Sequence, residues 1–194
     1  MVTFAPLPAV ACWRHRGARS GFEVAYFQAG PGGWRMDGTT AAAEDEQTWI
    51  VSYSIQLDAA WLTREARVTA RTASGLRETV LAGDGEGRWH VDGHPAAHLD
   101  GCLDVDLESS ALTNTLPVHR LGLGVGDRAG SPAAYVRALD LSAGRLEQSY
   151  ARLPDESGSQ RYRYAAPAFG FTGTLIYDES GLVLDYPGIA VRAR

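Results

Sequence analysis

Residues 48–57 read Thr-Trp-Ile-Val-Ser-Tyr-Ser-Ile-Gln-Leu, and this alternation constrains the fold more than any other feature of the chain. Trp49, Val51, Tyr53, Ile55 and Leu57 fall on one face, Thr48, Ser52, Ser54 and Gln56 on the other, and only Ile50 is out of step. A period of two is that of a β-strand with one buried face. After Asp58-Ala59-Ala60 the pattern resumes with Ala66, Val68 and Ala70 inward, against Glu65, Arg67, Thr69 and Arg71 outward. Ser74-Gly75 turns the chain into 76–82, and the glycine-rich 83–87 turns it again into 88–91. Four strands joined by tight turns make an antiparallel meander.

The same reading gives strands at 10–16, 22–28 and 33–41 before the meander. It gives others at 134–141, 146–153, 161–166, 171–177 and 182–186 after it. In the last hairpin Gly181 can supply a left-handed residue. No segment carries an amphipathic helical period, and only 108–112 suggests a turn of helix. The stretch 122–130, rich in glycine, reads as a flexible lip. The expectation is one all-β domain over 1–194. So many strands must curl into a strongly curved antiparallel sheet or open β-barrel to limit their edges.

Composition narrows the function. The formal net charge of -5 argues against nucleic acid and anionic membrane as partners. All 18 basic residues are arginine, which removes Schiff-base and lysine general-base chemistry. The apolar start of the chain, interrupted by Pro6 and Pro8, lacks the basic region of a signal peptide, and no run is long enough to span a bilayer as a helix. A cytoplasmic location without integral membrane association is therefore expected, with Cys12 and Cys102 as free thiols.

Chemistry-bearing residues concentrate between Asp100 and Arg120, a stretch that otherwise reads as short strands. Asp104 and Asp106, with Glu108, alternate with Leu103, Val105 and Leu107, and Thr113-Asn114-Thr115 follows. The acids lack the spacing of a calcium loop. The histidines at 90, 94, 98 and 119 do not form a zinc set, because Gly93 and Pro95 forbid a helix under the first pair. No Gly-x-Ser-x-Gly elbow occurs, and Gly122-Leu-Gly-Val-Gly126 lacks the lysine of a phosphate loop. No metal or cofactor is expected. Trp34, followed by Arg35 and Asp37, alternates an aromatic with polar groups, as a wall contacting a sugar would.

Four fragments resemble a known family: Gly33-Trp-Arg-Met-Asp-Gly38, Leu99-Asp-Gly-Cys-Leu-Asp-Val-Asp-Leu107, Thr113-Asn-Thr-Leu-Pro-Val-His-Arg-Leu121 and Gly181-Leu-Val-Leu-Asp-Tyr-Pro-Gly188. With them the chain resembles the bacterial glycolipid-binding family from Trp13 to Arg192. The resemblance implies a curved sheet or open barrel around an apolar cavity, similar in architecture to the lipoprotein localisation factors that carry acyl chains. The expected function is non-enzymatic binding or carriage of a glycolipid or related amphiphile. Acyl chains would meet the face of Trp49, Val51, Tyr53 and Ile55. The head group would meet Trp34, Arg35, Asp37, Asp104, Asp106, Asn114 and Arg120. The alternative is an enzyme acting on a lipid or sugar conjugate with Asp37, Asp104 or Asp106 as acid or base. A third reading makes the polar cluster a buried network that locks the connection between the meander and the C-terminal strands.

Overall fold

The computed structural model describes residues 3–193. The chain opens with six long hairpin-linked strands, β1 (Val10–His15), β2 (Ser20–Gly30), β3 (Gly33–Glu44), β4 (Gln47–Asp58), β5 (Thr63–Thr72) and β6 (Gly75–Gly83), then the short β7 (Trp89–Val91) and β8 (His94–Pro95). A central insert follows: β9 (Asp104–Leu107), helix α1 (Thr115–Leu121), β10 (Arg128–Gly130), β11 (Ala133–Val136) and β12 (Ala143–Leu146). The last strands are β13 (Ser149–Glu156), β14 (Ser159–Ala166), β15 (Phe171–Tyr177), β16 (Val183–Tyr186) and β17 (Ala190–Arg192).

Fourteen strands form one antiparallel sheet in the order β10-β13-β14-β15-β16-β17-β1-β2-β3-β4-β5-β6-β7-β8. The sheet does not close, and its outermost strands are only two and three residues long, so little unpaired edge is offered. β1 pairs with both β2 and β17, which joins the two ends of the chain in mid-sheet. A second sheet, β12-β11-β9, includes the parallel pair β11–β9.

The alternation along β4 is realised as read: Trp49, Val51, Tyr53, Ile55 and Leu57 are buried, whereas Ile50 faces out at 44% exposure. That inner face is covered from within the chain. The insert fills it, with Val105, Leu107, Leu112 and Leu116 packed against the meander in one buried cluster. A second cluster gathers Tyr150, Tyr162, Tyr164 and Tyr177 with Leu146, Leu175 and Val183. Helix α1 contributes to both, Leu116 to the first and Val118 to the second.

Three sequence expectations change. Residues 115–121 form a helix rather than a strand: Pro117 sits in the first turn, where its missing N–H costs nothing, and Gly122 caps the end at φ 51°. In β9 the acids are enclosed with their apolar neighbours: Asp104, Val105, Asp106 and Leu107 are all buried, as expected of a strand in a parallel pair. The run 146–153 is two strands of different sheets, β12 and β13. The lip at 122–130 is also fastened: Gly126 N donates to Arg152 O (2.9 Å), and β10 pairs with β13.

Candidate functional site

A cavity of about 250 Å³ opens between the insert and the C-terminal strands. Its walls are aromatic: Tyr135 from β11, Tyr164 from β14, Phe169, Phe171 from β15 and Tyr186 from β16, with Leu146 and Ile189. Tyr164, Phe171 and Tyr186 pack mutually with ring centroids 5.6–5.9 Å apart, and Phe169, 56% exposed, leans on Tyr135 at the rim. The polar lining comes from β9 and the residues after it, namely Asp106, Glu108, Ser110 and Asn114, with Arg19 from the β1–β2 turn and Glu44 from the end of β3.

Asp106 is the most perturbed acid in the site. Burial pushes its carboxyl up to about 6; the nearby Asp104 and Glu108 charges add to this, and the Thr113 hydroxyl opposes it by donating to Oδ1 at 2.8 Å. Asn114 Oδ1 accepts from the Tyr150 hydroxyl at 3.0 Å, and its backbone carbonyl accepts from Tyr177 at 3.2 Å. Burial and neighbouring acids hold the Tyr135, Tyr164 and Tyr186 phenols well above their usual range, so they remain neutral donors.

Of the residues singled out in the sequence, Asp106 and Asn114 line this cavity. Asp104 lies one layer behind, fully buried: Arg120 Nη2 donates to its Oδ2 at 2.6 Å, Arg120 Nε to its Oδ1 at 3.0 Å, and Ser131 Oγ to Oδ2 at 3.0 Å. Asp104 and Arg120 thus tie β9, α1 and the approach to β11 together rather than facing a ligand. Tyr53 reaches across Gly38, where a Cβ would lie 2.2 Å from its ring, to donate to Glu23 Oε1 at 2.6 Å. The same carboxylate accepts from Ser110 Oγ and from Ala111 N at 2.8 Å, and His15 Nε2 lies 3.6 Å away. Burial and the Glu23 charge raise the Tyr53 phenol well above its ordinary value. Trp49 is 2% exposed beneath the Arg19 guanidinium, 5.3 Å from its ring centroid.

Trp34, Arg35 and Asp37 stand elsewhere. Trp34 precedes Glu44 by ten residues on β3, about 33 Å at a strand's rise. It packs on Trp61, which stacks at 3.6 Å on His119, and with Arg35 it borders a separate shallow groove. Arg35 and Asp37 pair with each other at 2.9 Å on the surface. The sequence reading missed the aromatic wall, although six of the eight tyrosines lie from Tyr135 onward. Among the described residues no group of histidine, cysteine or acidic side chains could hold a metal ion, and no helix is long and apolar enough to cross a membrane.

A family model described as "Putative glycolipid-binding" matches residues 10–192. The chain belongs to that family. The fold of this glycolipid-binding family member is also similar to the crystal structure of a DUF1089 family protein from Pseudomonas aeruginosa. The two are 32% identical with a TM-score of 0.78, over 100% of this chain and 99% of that one. A beta-barrel-like protein of the DUF1849 domain from Brucella abortus shares the fold alone: 11% identity and a TM-score of 0.55, over 98% of this chain and 96% of that one. Comparison with the curated proteins gives no match.

Proposed function

We propose that the protein binds a glycolipid by taking a sugar of its head group into the aromatic cavity, with no chemical change to it. The observation that carries this is the combination of a wall of edge-packed aromatic rings with a polar floor of Asp106, Asn114 and Ser110. A sugar ring offers an apolar C–H face to such walls and a rim of hydroxyls to such a floor. The volume, about 250 Å³, equals some eight waters at about 30 Å³ each, which suits one ring better than a full acyl chain. A chain would leave the remaining hydrogen-bonding capacity of Asp106, Asn114 and Glu108 facing hydrocarbon. The acyl part therefore leaves past Phe169. The family description supports a glycolipid as ligand.

Calorimetric titration of octyl glucoside, below its micelle concentration, tests the reading against octanol as a tail-only control. The glucoside should bind and octanol should not. Phe171→Ala should weaken glucoside binding about tenfold, an aromatic contact of about 1.4 kcal/mol. Equal binding of the two probes would show that the cavity takes the tail.

One observation favours an enzymatic reading as well. Asp106 has the raised carboxyl that an acid catalyst needs, and Glu108 lines the same cavity two residues on. Asp37, on the surface, and Asp104, held by Arg120, lack that setting. Turnover of aryl glycosides that disappears in Asp106→Asn would establish catalysis and displace the carrier reading.

A further inference from the structure

The aromatic cavity does not end at its rim. A polar cleft of about 490 Å³ adjoins it, and Glu44 and Glu108 line both spaces. Asp45, Gln47, Arg137, Asp140 and Ser142 give the rest of its polar lining. Its walls are anchored: Glu108 Oε2 accepts from Ala138 N at 2.7 Å, and Asp140 Oδ1 accepts from the Ser142 amide at 2.9 Å and hydroxyl at 2.7 Å. At the junction stands Arg19, whose side chain is 6% exposed. Its Nη1 donates to Glu108 O at 2.6 Å and its Nε lies 3.3 Å from Glu44 Oε2, so it bridges the two residues that line both spaces.

We propose that this cleft is a second saccharide subsite, so that the head group carries at least two sugar units and no anionic substituent. The proposal rests on the first sugar occupying the aromatic cavity. A unit linked to that sugar has to pass Glu44 and Glu108 and then meets a surface of amide, hydroxyl, guanidinium and carboxylate groups. Such a mixture matches hydroxyls, which both donate and accept. It offers no aromatic platform, and its apolar lining, Ala138 and Leu139, is too small to hold an acyl chain. Charge decides the rest. Glu44, Asp45, Glu108 and Asp140 set four carboxylates against two guanidiniums, Arg137 in the cleft and Arg19 paired with Glu44 at the junction. A phosphate, sulfate or uronate there would meet net repulsion, whereas a neutral or amino sugar would not.

The test compares octyl glucoside with octyl maltoside, octyl lactoside and octyl glucuronide below their micelle concentrations, by calorimetry on the intact protein. At least one disaccharide glycoside should bind tenfold or more tightly than the glucoside, and the glucuronide more weakly than the glucoside. The double variant Gln47→Ala/Arg137→Ala, both exposed side chains, should erase the disaccharide gain while leaving glucoside affinity and melting temperature unchanged. Disaccharides that bind no better than a glucoside still sensitive to Phe171→Ala would overturn the second subsite and leave the first intact. A gain that survives in the double variant would overturn it as well. Failure of every glycoside to bind would remove the sugar reading of the cavity itself.

Discussion

Asp106 ionises near 6 in the folded protein against a usual value of 3.8. Between those values the folded state holds a proton that the unfolded chain has released, so this group makes stability fall as pH rises through the window. Above that window, keeping the carboxylate charged in its buried position costs about 3 kcal/mol, because each tenfold change in proton affinity is worth about 1.4 kcal/mol. Asp106→Asn keeps an acceptor for Thr113 and cannot ionise. Urea unfolding should therefore show the variant gaining on the wild type by about 2–3 kcal/mol between pH 4 and pH 7. Parallel stability curves would mean that Asp106 ionises like a surface acid. His119 acts in the opposite sense. Burial between Trp61 and Phe4 lowers it to about 4, so it is neutral at pH 7, and its contribution is lost as pH falls from 6.5 towards 4. Its Nε2 lies 2.9 Å from Ser180 O, an arrangement that requires the Nε2–H tautomer.

At the scale of elements, the Glu23 carboxylate fastens the insert to the large sheet. It takes hydrogen bonds from Tyr53 on β4 and from Ser110 and Ala111 at the end of the β9 segment, all without access to water. Glu23→Ala would orphan those donors together, so equilibrium unfolding should show a loss of about 3 kcal/mol or more. A loss under 1 kcal/mol would show that the insert is held by apolar packing alone. Neither the insert's position nor its helix could be read from the sequence. The hairpins β1 to β6 were legible because their strands alternate and most of their turns carry glycine or a short polar run, the exception being Ala59-Ala60-Trp61-Leu62 between β4 and β5. Helix α1 is seven residues, too short for a 3.6-residue period to emerge, and Gly122 was its only signal. The pairing of β9 with β11 joins residues about thirty apart in parallel, a geometry that local patterns do not encode. The candidate site suffered likewise. Asp106 and Asn114 were visible as a dense polar motif, but Tyr164, Phe171 and Tyr186 look like ordinary strand aromatics until the fold brings them together. Trp34 was singled out by its polar neighbours, which turn out to pair with each other.

Across the whole molecule, two buried clusters share one open sheet, and the two cysteines sit far apart in burial. Cys102 is inaccessible and its thiol is pushed up to about 11, chiefly by burial, whereas Cys12 is half-buried. Alkylation of the native protein under mild conditions should modify Cys12 alone, with Cys102 reacting only after denaturant is added. Both thiols should be found reduced in freshly isolated protein, as a reducing compartment would require. Loss of both without added oxidant would argue for a different location.

The seam where the chain's ends meet is mechanically thin. β17 is held to β16 by two register pairs, Asp185↔Val191 and Tyr186↔Ala190, and to β1 by three, Trp13↔Arg192 to His15↔Ala190, flanked by the Ala193 N–Cys12 O and Arg16 N–Ile189 O hydrogen bonds. By contrast β3 and β4 are zipped along their whole length from Gly33↔Asp58 to Glu44↔Gln47. The cavity straddles this line: Ala18, Arg19 and Glu44 stand on one side, Phe171 and Tyr186 on the other, and Ile189 directly beneath. A molecule stitched lightly at such a place can gape there without unravelling either half, which would admit a ligand wider than the resting aperture. Amide hydrogen exchange should find Val191 and Arg192 opening faster than Val51 to Ile55 in the meander, and a bound glycoside should slow them selectively. Equal protection along both would describe a vessel with rigid walls, filled only through its mouth.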